Sequence, residues 1–494
     1  MICVSIGRTR HKMMILEQRA LAEQGAELVE LRLDYLSRIP DLNRLIHERP
    51  TPVVVTCRRK QDRGRWRWDE DARQKLLRTA IVSEVDYIDL EDDIAGAIPR
   101  FGKTKRIVSH HNFDETPDDL ESRHAKMAKL DPDIIKIVTM ANSPSDCVRM
   151  LQLVAESEIP TLGFCMGEFG LPSRLLCGKY GAPFTYATFD GERVMAPGQL
   201  PFSAMKNLYR YDHISESTEV FAVLGDPIGH SLSPLLHNRA FQHHDIDAVY
   251  LPIRIPRDSF DESLNALNWL GIRGYSVTIP HKSAARNYAH EQDDSVSKIG
   301  AANTLYKSAD GVWHATNTDC EAAIESVRQG LGEGGTLKGK NCIVLGAGGA
   351  ARAIVYGLLN AGAFVTIANR TNSKAEQLAS ELGCQFIRWE HRGKDFRDIL
   401  INCTPVGMYP EMDNTPFPQN WLGEHTLVFD TIYNPENTLL IKEARERGCK
   451  TVSGLEMFIR QAASQFERFT GLTPDLEQLR MTVRKTISPV NYES

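Results

Sequence analysis

The sequence has 494 residues, 42% hydrophobic and 25% charged, as in ordinary soluble globular proteins, and its length predicts several domains of roughly 150 residues each. The net charge is −6, and lysines and arginines are spread along the chain, which argues against a nucleic-acid partner. Ten cysteines without a Cys-x-x-Cys pair indicate neither a disulfide framework nor a metal site. No run reaches the ~18 apolar residues of a membrane span, and Met1–Ile6 is typical of a strand rather than a targeting leader, so we expect a cytoplasmic protein.

Short β-rich runs alternate with amphipathic helical patterns over residues 1–200. Strands that are each mostly followed by a helix predict an α/β fold, and eight of them predict a (β/α)8 TIM barrel. An open doubly wound sheet is the alternative. The predicted strands are Ile2–Ile6, Leu28–Leu33, Val53–Cys57, Val85–Leu90, Arg106–His110, Ile134–Val138, Thr161–Cys165 and Phe184–Thr188.

The second predicted strand carries charges at alternate positions, at Glu30, Arg32 and Asp34. Alternate residues of a strand share one face, and the outer face of a barrel packs on helices, so these charges are expected to point into the barrel. Buried charges are costly unless they are paired or used, which indicates a site. A solvated amphipathic edge strand would give the same pattern.

A lysine, Lys136, stands alone among β-branched apolar residues in the sixth predicted strand. Burial lowers the pKa of a lysine and increases the free amine, which a nucleophile needs in order to form a Schiff base with a ketone. A buried lysine with a purely structural ion pair is the alternative.

Two further β/α series follow a polar linker at residues 215–218, one starting at Val220 and one at Asn341. The later one runs from a strand into a helix through a G-x-G-x-x-A pattern, which predicts a dinucleotide-binding Rossmann turn. A purely structural turn is the alternative. The residues expected to bind the cofactor here are Gly346, Ala347, Gly348, Gly349 and Ala350.

The next predicted strand ends in Asn369, Arg370 and Thr371, with Lys374 one turn further on. An NAD enzyme usually places an acidic residue here to hold the ribose 2′-hydroxyl, whereas a guanidinium suits a 2′-phosphate. The sequence therefore favours NADP as the cofactor, although Arg370 could also be a surface residue at a helix start.

Further sequence motifs lie before and after the predicted dinucleotide-binding turn. Reduction of a ketone by hydride requires a proton donor, which Lys282 of Pro-His-Lys could be, with Asp319 holding its ammonium group. Residues 219–494 resemble the shikimate dehydrogenase family, through the segments Gly225–Pro234, Ser276–Lys282, Gly300–Thr304, Thr316–Asp319, Asn402–Met408 and Gly454–Ala462.

This resemblance implies that Lys282 and Asp319 are the catalytic pair and that Ile432 and Gly454 lie against the nicotinamide. It also implies that shikimate is bound by hydroxyl and amide side chains, namely Ser231, Ser233, Thr278, Asn303, Tyr433 and Gln461. Quinate as substrate with NAD as cofactor is the alternative within this family.

Residues 1–205 resemble the type I 3-dehydroquinate dehydratase family. The resemblance implies that Lys136 forms the imine and that His111, rather than its neighbour His110, is the general acid/base. Asp62 and Met195 depart from the family, which usually has Glu and Ser there. The implied substrate contacts are Ser5, Glu30, Arg32, Arg58, Arg174 and Gln199.

Together the two resemblances predict an enzyme that dehydrates 3-dehydroquinate and then reduces 3-dehydroshikimate to shikimate with NADPH, without a metal. A metabolite-sensing regulator is the alternative from another class. The expected partners are these small molecules, without nucleic acid or membrane, and the oligomeric state is left open. The expected domains are a dehydratase barrel (1–214), a shikimate-binding α/β domain (219–320), a Rossmann NADP domain (321–455) and C-terminal helices that return to the substrate domain (456–494).

Overall fold

A computed structural model describes residues 1–394 and 397–487, without the side chain of Ile487. The chain forms two compact units. The first comprises Met1–Phe221, Pro227–Gly229 and Asp247–Ile272, and the second comprises Ala222–Asp226, His230–Ile246 and the chain from Arg273 onward. Within the described residues, no helix is long and apolar enough to cross a membrane.

The first unit contains eight parallel strands that follow one another around a nearly closed barrel, in the order β7-β6-β5-β4-β3-β2-β1-β8. The TIM-barrel prediction is therefore confirmed over the open sheet. These strands are β1 (Ile2–Ile6), β2 (Leu28–Arg32), β3 (Val53–Thr56), β4 (Tyr87–Glu91), β5 (Lys105–Asn112), β6 (Ile134–Met140), β7 (Thr161–Met166) and β8 (Thr185–Thr188).

Helices connect most of these strands, and their starts follow from local chemistry. Asp69 caps one of them by accepting a hydrogen bond from the backbone of Ala72, with two acidic residues in the first turn. Another begins with Pro144 after Ser143, whose backbone is bound by Asp146 in a capping box. The barrel helices are α1 (His11–Glu23), α2 (Leu42–Ile46), α3 (Glu70–Val82), α4 (Asp92–Ala95), α5 (Leu120–Ala128), α6 (Pro144–Glu156) and α7 (Leu171–Leu176).

One detail of the sequence prediction is wrong. The alternation of charges was expected to place Asp34 on the same strand face as Glu30 and Arg32, but β2 ends at Arg32 and Asp34 lies in a 3-10 turn, Leu33–Tyr35. From that turn Asp34 binds the Arg32 guanidinium through both carboxylate oxygens, at 2.9 Å each. The local ion pair ends the extended conformation that the period of two implied.

After the barrel, a mixed sheet contains, in order, β9 (Glu219–Gly225), β11 (Gly274–Val277), β13 (Thr304–Lys307), β14 (Trp313–Thr316) and β12 (Glu291–Gln292). Strand β13 is antiparallel to both of its neighbours. The segment Asp247–Ile272, which belongs to the first unit, contains β10 (Ala248–Arg254) and α9 (Phe260–Leu267). The accompanying helices are α8 (Ser233–His243), α10 (Lys282–Tyr288), α11 (Asp294–Ile299) and α12 (Thr318–Leu331).

A further sheet contains six parallel strands in the order β17-β16-β15-β18-β19-β20, which is the Rossmann order. Its strands are β15 (Asn341–Leu345), β16 (Phe364–Asn369), β17 (Gln385–Arg388), β18 (Ile399–Asn402), β19 (Leu427–Asp430) and β20 (Lys450–Val452). Its helices, with those that follow it, are α13 (Gly349–Asn360), α14 (Asn372–Leu382), α15 (Leu439–Glu446), α16 (Gly454–Thr470) and α17 (Leu476–Ile487).

Both faces of this sheet are covered, which explains why its strands are continuous apolar runs rather than alternating ones. In β15, Cys342 and Val344 belong to one buried cluster with α13, whereas Ile343 and Leu345 belong to a second cluster with α15. The glycine-rich turn therefore follows a strand that is fixed from two sides.

We expect Gly163→Ala to destabilise the barrel. An added Cβ on this β7 residue would lie 2.5 Å from Val154 Cγ2 and 3.0 Å from Met150 Sδ, both on α6. Such overpacking lowers the free energy of unfolding by about 1–3 kcal/mol. The midpoint of urea unfolding measures this loss. Gly96→Ala, whose Cβ would make an ordinary 3.7 Å contact with Leu130, is the control. Equal midpoints for the two variants would contradict the prediction.

Candidate active sites

A pocket opens at the carboxyl ends of the barrel strands, where enzymes of this fold carry their active sites. It gathers all of the residues that the sequence predicted for the first half, namely Ser5, Glu30, Arg32, Arg58, His111, Lys136, Arg174 and Gln199. The rest of the lining is Thr56, Asp62, Arg63, Phe113, Val138, Phe164, Met166, Tyr186, Met195, Ala196 and Pro197.

Lys136 lies deep in this pocket and is only 5% exposed. Its Nζ lies 3.0 Å from Asp89 Oδ2 and 3.8 Å from Glu30 Oε1, and it sits 4.1 Å from the ring centroid of Tyr186. The lysine is therefore both buried and ion-paired. Its geometry is compatible with both interpretations of its sequence pattern, a Schiff-base nucleophile and a lysine in a structural ion pair. Its nitrogen is fixed at the pocket wall between two carboxylates.

The two carboxylates are themselves held in place. Glu30 accepts hydrogen bonds from Ser5 Oγ at 2.6 Å and from Thr56 Oγ1 at 2.8 Å, which come from the strands on either side of it. Asp89 accepts from Arg58 Nη2 at 2.8 Å. The charges of Arg58 and Lys136 hold the pKa of Asp89 well below its usual value despite its burial, so this carboxylate is ionised.

The buried charges in this region balance. Arg58 also binds Glu91, at 3.0 Å, and Glu91 accepts from the fully buried Arg73 at 2.9 Å. Three buried cations thus face three buried carboxylates, namely Lys136, Arg58, Arg73, Glu30, Asp89 and Glu91. Arg73 also binds the partly exposed Glu70.

The two adjacent histidines of β5 have different surroundings. His111 lines the pocket and stacks on Phe113, with ring centroids 5.8 Å apart, whereas His110 contacts Asp92 Oδ2 at 3.1 Å. Burial, with the positive charges of Arg58 and Lys136, lowers the pKa of His111 well below its usual value. Its imidazole is therefore neutral at neutral pH and able to accept a proton.

Arg174, on α7, is the buried charge that this network leaves out. It is 1% exposed, and its guanidinium lies 4.7 Å from the Phe164 ring centroid. Its Nη2 donates to the Pro197 carbonyl oxygen at 3.5 Å, whereas its Nε and Nη1 have no hydrogen-bond partner and it forms no ion pair among the described residues. Burial lowers its pKa to about 10, so it still carries its charge at neutral pH. An unpaired buried guanidinium at a pocket wall fits a bound carboxylate, which it can grip with two parallel hydrogen bonds.

The loop residues at the pocket mouth are held by local bonds. Gln199 Oε1 accepts from the backbone of both Met195 and Ala196, at 3.0 Å each. Asp62 accepts from Arg59 at 2.7 Å. Both positions that depart from the dehydratase pattern, Asp62 and Met195, thus line the pocket, and Asp62 is engaged by an arginine of its own loop.

A second cluster forms in the second unit where α10 and α12 begin. Lys282 Nζ donates to Asp319 Oδ2 at 2.5 Å, and the other oxygen of Asp319 accepts from Asn303 Nδ2 at 2.9 Å. Asn303 Nδ2 also lies 3.5 Å from Gln461 Oε1 on α16. The structure therefore brings Lys282, Asp319, Asn303 and Gln461 together, although they are far apart in the sequence.

The other polar residues predicted for this site have no direct hydrogen bond to that cluster among the described residues. Ser231 Oγ accepts from the backbone of Ser233 at 3.3 Å, at the start of α8. Thr278 directly follows β11. Tyr433 stacks on Phe458 of α16 with ring centroids 4.4 Å apart.

The glycine-rich turn fits a dinucleotide. Gly346 has φ +116°, and a Cβ there would lie 2.9 Å from the Cys403 carbonyl oxygen, so only glycine is accommodated. A Cβ on Gly348 would meet open space, which leaves the N-terminus of α13 accessible to a pyrophosphate. A Cβ on Gly349 would lie 3.6 Å from Lys282 Cδ, so the turn borders the lysine cluster, and Ala347 and Ala350 complete the turn.

Asn369, Arg370, Thr371 and Lys374 come together where β16 ends and α14 begins, and both cations are exposed without an ion pair among the described residues. Further along the chain, Gly454 is the first residue of α16. A Cβ on Gly454 would lie 2.4 Å from the Thr431 backbone, and Ile432 is buried beside it.

In residues 1–394 and 397–487, no group of three or more His, Cys, Asp or Glu side chains could hold a metal.

Sequence reasoning missed Thr56 and Tyr186 of the pocket lining, and it missed Asp89, which is not part of the lining but binds Lys136 and Arg58. Asp89 sits in Tyr87–Glu91, where Asp89 and Glu91 alternate with apolar residues as Glu30 and Arg32 do. The same period-two signal could have found it. Thr56 lies in a strand that ends in polar residues, which is a weak signal, whereas nothing in the local sequence of Tyr186 marks it.

Comparisons with known proteins match both parts of the chain to known families. Residues 2–216 match the family model of type I 3-dehydroquinase, and residues 223–305 match the shikimate dehydrogenase substrate binding domain. Residues 328–404 match shikimate / quinate 5-dehydrogenase, and residues 454–484 match the shikimate 5′-dehydrogenase C-terminal domain.

Similar proteins cover either the whole chain or its second half. A shikimate dehydrogenase (NADP(+)) of Methanocella arvoryzae is 41% identical over 54% of this chain and 99% of its own length. A crystal structure of the Thermus thermophilus shikimate 5-dehydrogenase with NADP(H) and shikimate has a TM-score of 0.50 and 33% identity, and covers 54% of this chain and 99% of that one. The chloroplastic bifunctional 3-dehydroquinate dehydratase/shikimate dehydrogenase of Arabidopsis thaliana is 38% identical over 96% of this chain and 82% of its own. This chain therefore belongs to the family of bifunctional 3-dehydroquinate dehydratase/shikimate dehydrogenases.

Proposed function

We propose that the two clusters are the active sites for consecutive reactions of the shikimate pathway. In the barrel, Lys136 and His111 dehydrate 3-dehydroquinate to 3-dehydroshikimate. In the second unit, Lys282 and Asp319 assist the NADPH-dependent reduction of 3-dehydroshikimate to shikimate. The observation that carries the proposal is the fixed, buried amine of Lys136 in one pocket with a neutral imidazole and an unpaired guanidinium.

The dehydration follows from the placement of Lys136. Its amine attacks the ring ketone and water leaves, which gives an iminium that acidifies the adjacent C–H bond. His111 takes that proton and then protonates the departing hydroxyl group, so a second water leaves. Hydrolysis of the imine releases 3-dehydroshikimate and restores the amine.

The substrate is an anion, and Arg174 is suited to its carboxylate. The network around Lys136 is balanced in charge, so Arg174 contributes one uncompensated positive charge in the pocket wall. A monoanion bound there would neutralise it. We assign the remaining contacts to the ring hydroxyl groups, through Ser5, Glu30, Arg32, Arg58 and Gln199.

In the second unit, NADPH supplies the hydride when it is bound. Lys282 donates a proton to the oxygen that gains the charge, and Asp319 holds its ammonium group in place. Ser231, Ser233, Thr278, Asn303, Tyr433 and Gln461 are assigned to the hydroxyl and carboxylate groups of shikimate. Arg370 with Lys374 suits the 2′-phosphate, and the turn from Gly346 suits the pyrophosphate.

The similar proteins favour the main proposal over its alternatives, and the family model that matches residues 328–404 includes both shikimate and quinate 5-dehydrogenases. The relatives of the second half carry the name shikimate dehydrogenase (NADP(+)), which favours NADP over NAD and shikimate over quinate. A regulator without activity would have no use for Lys136, His111, Lys282 and Asp319 together, and all four are present. The cytoplasmic location, the absence of nucleic-acid and membrane partners, and the domain bounds stay predictions from the sequence.

Borohydride added with 3-dehydroquinate is expected to reduce the imine and attach the substrate to Lys136. Peptide mass spectrometry should find the added mass on that lysine, and Lys136→Ala should take up none. Reduced substrate found on another lysine, or no adduct while turnover proceeds, would contradict the imine.

Two equally buried arginines of the barrel separate substrate binding from stability. Arg174→Met removes an unpaired charge, so we expect the KM for 3-dehydroquinate to rise about 10- to 100-fold, while the barrel keeps or gains stability. Arg73→Met is the matched control, because it removes one of the two guanidinium partners of the buried Glu91 and should cost about 3–5 kcal/mol of unfolding free energy. Steady-state kinetics and urea unfolding measure both effects. An unchanged KM for Arg174→Met would refute the carboxylate assignment.

Lys282→Met is expected to lower the kcat for 3-dehydroshikimate reduction about 10²- to 10⁴-fold, because the proton donor is lost. Dehydratase turnover of the same preparation should stay at the wild-type rate, and Lys136→Ala should show the reverse pattern. Separate assays of the two half-reactions measure this. Loss of both activities in Lys282→Met would show that the two sites are not independent.

A further inference from the structure

Tyr186, on β8, lines the dehydratase pocket but was assigned no part in the reaction above. It is 3% exposed, and its ring is fixed between Phe164 and Phe184, with ring centroids 5.9 Å and 5.6 Å away. The position and the plane of the phenol are therefore set by packing, before any ligand binds.

The face of this ring supports the reactive amine. Lys136 Nζ lies 4.1 Å from the ring centroid, within the range of a favourable cation–π contact. The phenol consequently adjoins the nitrogen that is proposed to attack the substrate, and a substrate attached to that nitrogen lies close to the same ring.

The hydroxyl group of Tyr186 has no hydrogen-bond partner among the described residues, although it is buried. A phenylalanine would fill the same space, and burying an unpaired hydroxyl group costs free energy. Burial, and the nearby carboxylate of Glu30, raise the pKa of Tyr186 well above its usual value, so the group remains a hydrogen-bond donor. We therefore expect the ligand to accept the hydrogen bond that this hydroxyl group can donate.

We propose that the Tyr186 hydroxyl group donates a hydrogen bond to a ring hydroxyl oxygen of the bound cyclic hydroxy acid, beside the carbon that forms the imine with Lys136. Arg174, which lies over another aromatic ring of the pocket, that of Phe164, takes the carboxylate. The inference rests on the proposed function of the barrel and adds a specificity-determining residue to it.

The test is Tyr186→Phe in the full-length chain, which removes the donor and keeps the ring. We expect the KM for 3-dehydroquinate to rise about tenfold while kcat stays within about threefold, because one hydrogen bond to the substrate is lost and the support of Lys136 remains. The substrate concentration that half-saturates borohydride labelling of Lys136 should rise by the same factor. The melting temperature should be unchanged or higher.

Tyr211→Phe is the matched control, since Tyr211 is equally buried in the same unit, lies outside the pocket, and has a protein partner in Cys177 Sγ at 3.3 Å. It should leave the KM unchanged. A wild-type KM for Tyr186→Phe, or a lower kcat together with a lower melting temperature, would overturn the inference. If Lys136 of the wild-type protein is not labelled, the imine proposal fails, whereas the KM of Tyr186→Phe still decides the hydrogen bond.

Discussion

The barrel interior depends on the balance of buried charge around Lys136. Asp89 is the centre of that balance, because it accepts from both Lys136 and Arg58. An amine buried alone would be too costly, and one carboxylate without its arginine would be equally so. Because the buried cations and carboxylates balance, the Lys136 nitrogen has a fixed position in the pocket. The Arg174 guanidinium has no ion pair among the described residues, and its proposed partner is the carboxylate of the substrate.

The fold makes this arrangement possible. Parallel strands place their carboxyl ends at one rim, so Ser5, Glu30 and Thr56 from three successive strands meet without any loop ordering them. In the second unit, the site residues are brought together at the starts of helices. Lys282 is the first residue of α10, and it binds Asp319 in the first turn of α12. In both units a lysine is held by a carboxylate, but Lys136 is enclosed by strands, whereas Lys282 borders the turn at Gly349 that fits the cofactor.

Local patterns were sufficient for much of the architecture. The alternation of β and helical periods predicted the barrel, and the strand Ile2–Ile6 was predicted with the bounds that β1 has. Local sequence patterns gave wrong or incomplete predictions where an interaction between side chains, rather than the periodicity of the sequence, determines the structure. Asp34 was placed on a strand face, but its bidentate pair with Arg32 turns the chain. Asp89 was overlooked, because a carboxylate's importance depends on which cations reach it.

The sequence by itself determined the two families, the order of the elements and the residue types of each site, because periodicity and motif spacing are written into the chain. Only the tertiary structure decided which groups are paired. It separated His111 in the pocket from His110 on Asp92, and Arg73 in its carboxylate network from the equally buried Arg174. It also placed the unpaired hydroxyl group of Tyr186 in the pocket that holds Lys136. The reason is that pairing depends on distances between strands and helices far apart in the chain, and no local pattern encodes those distances.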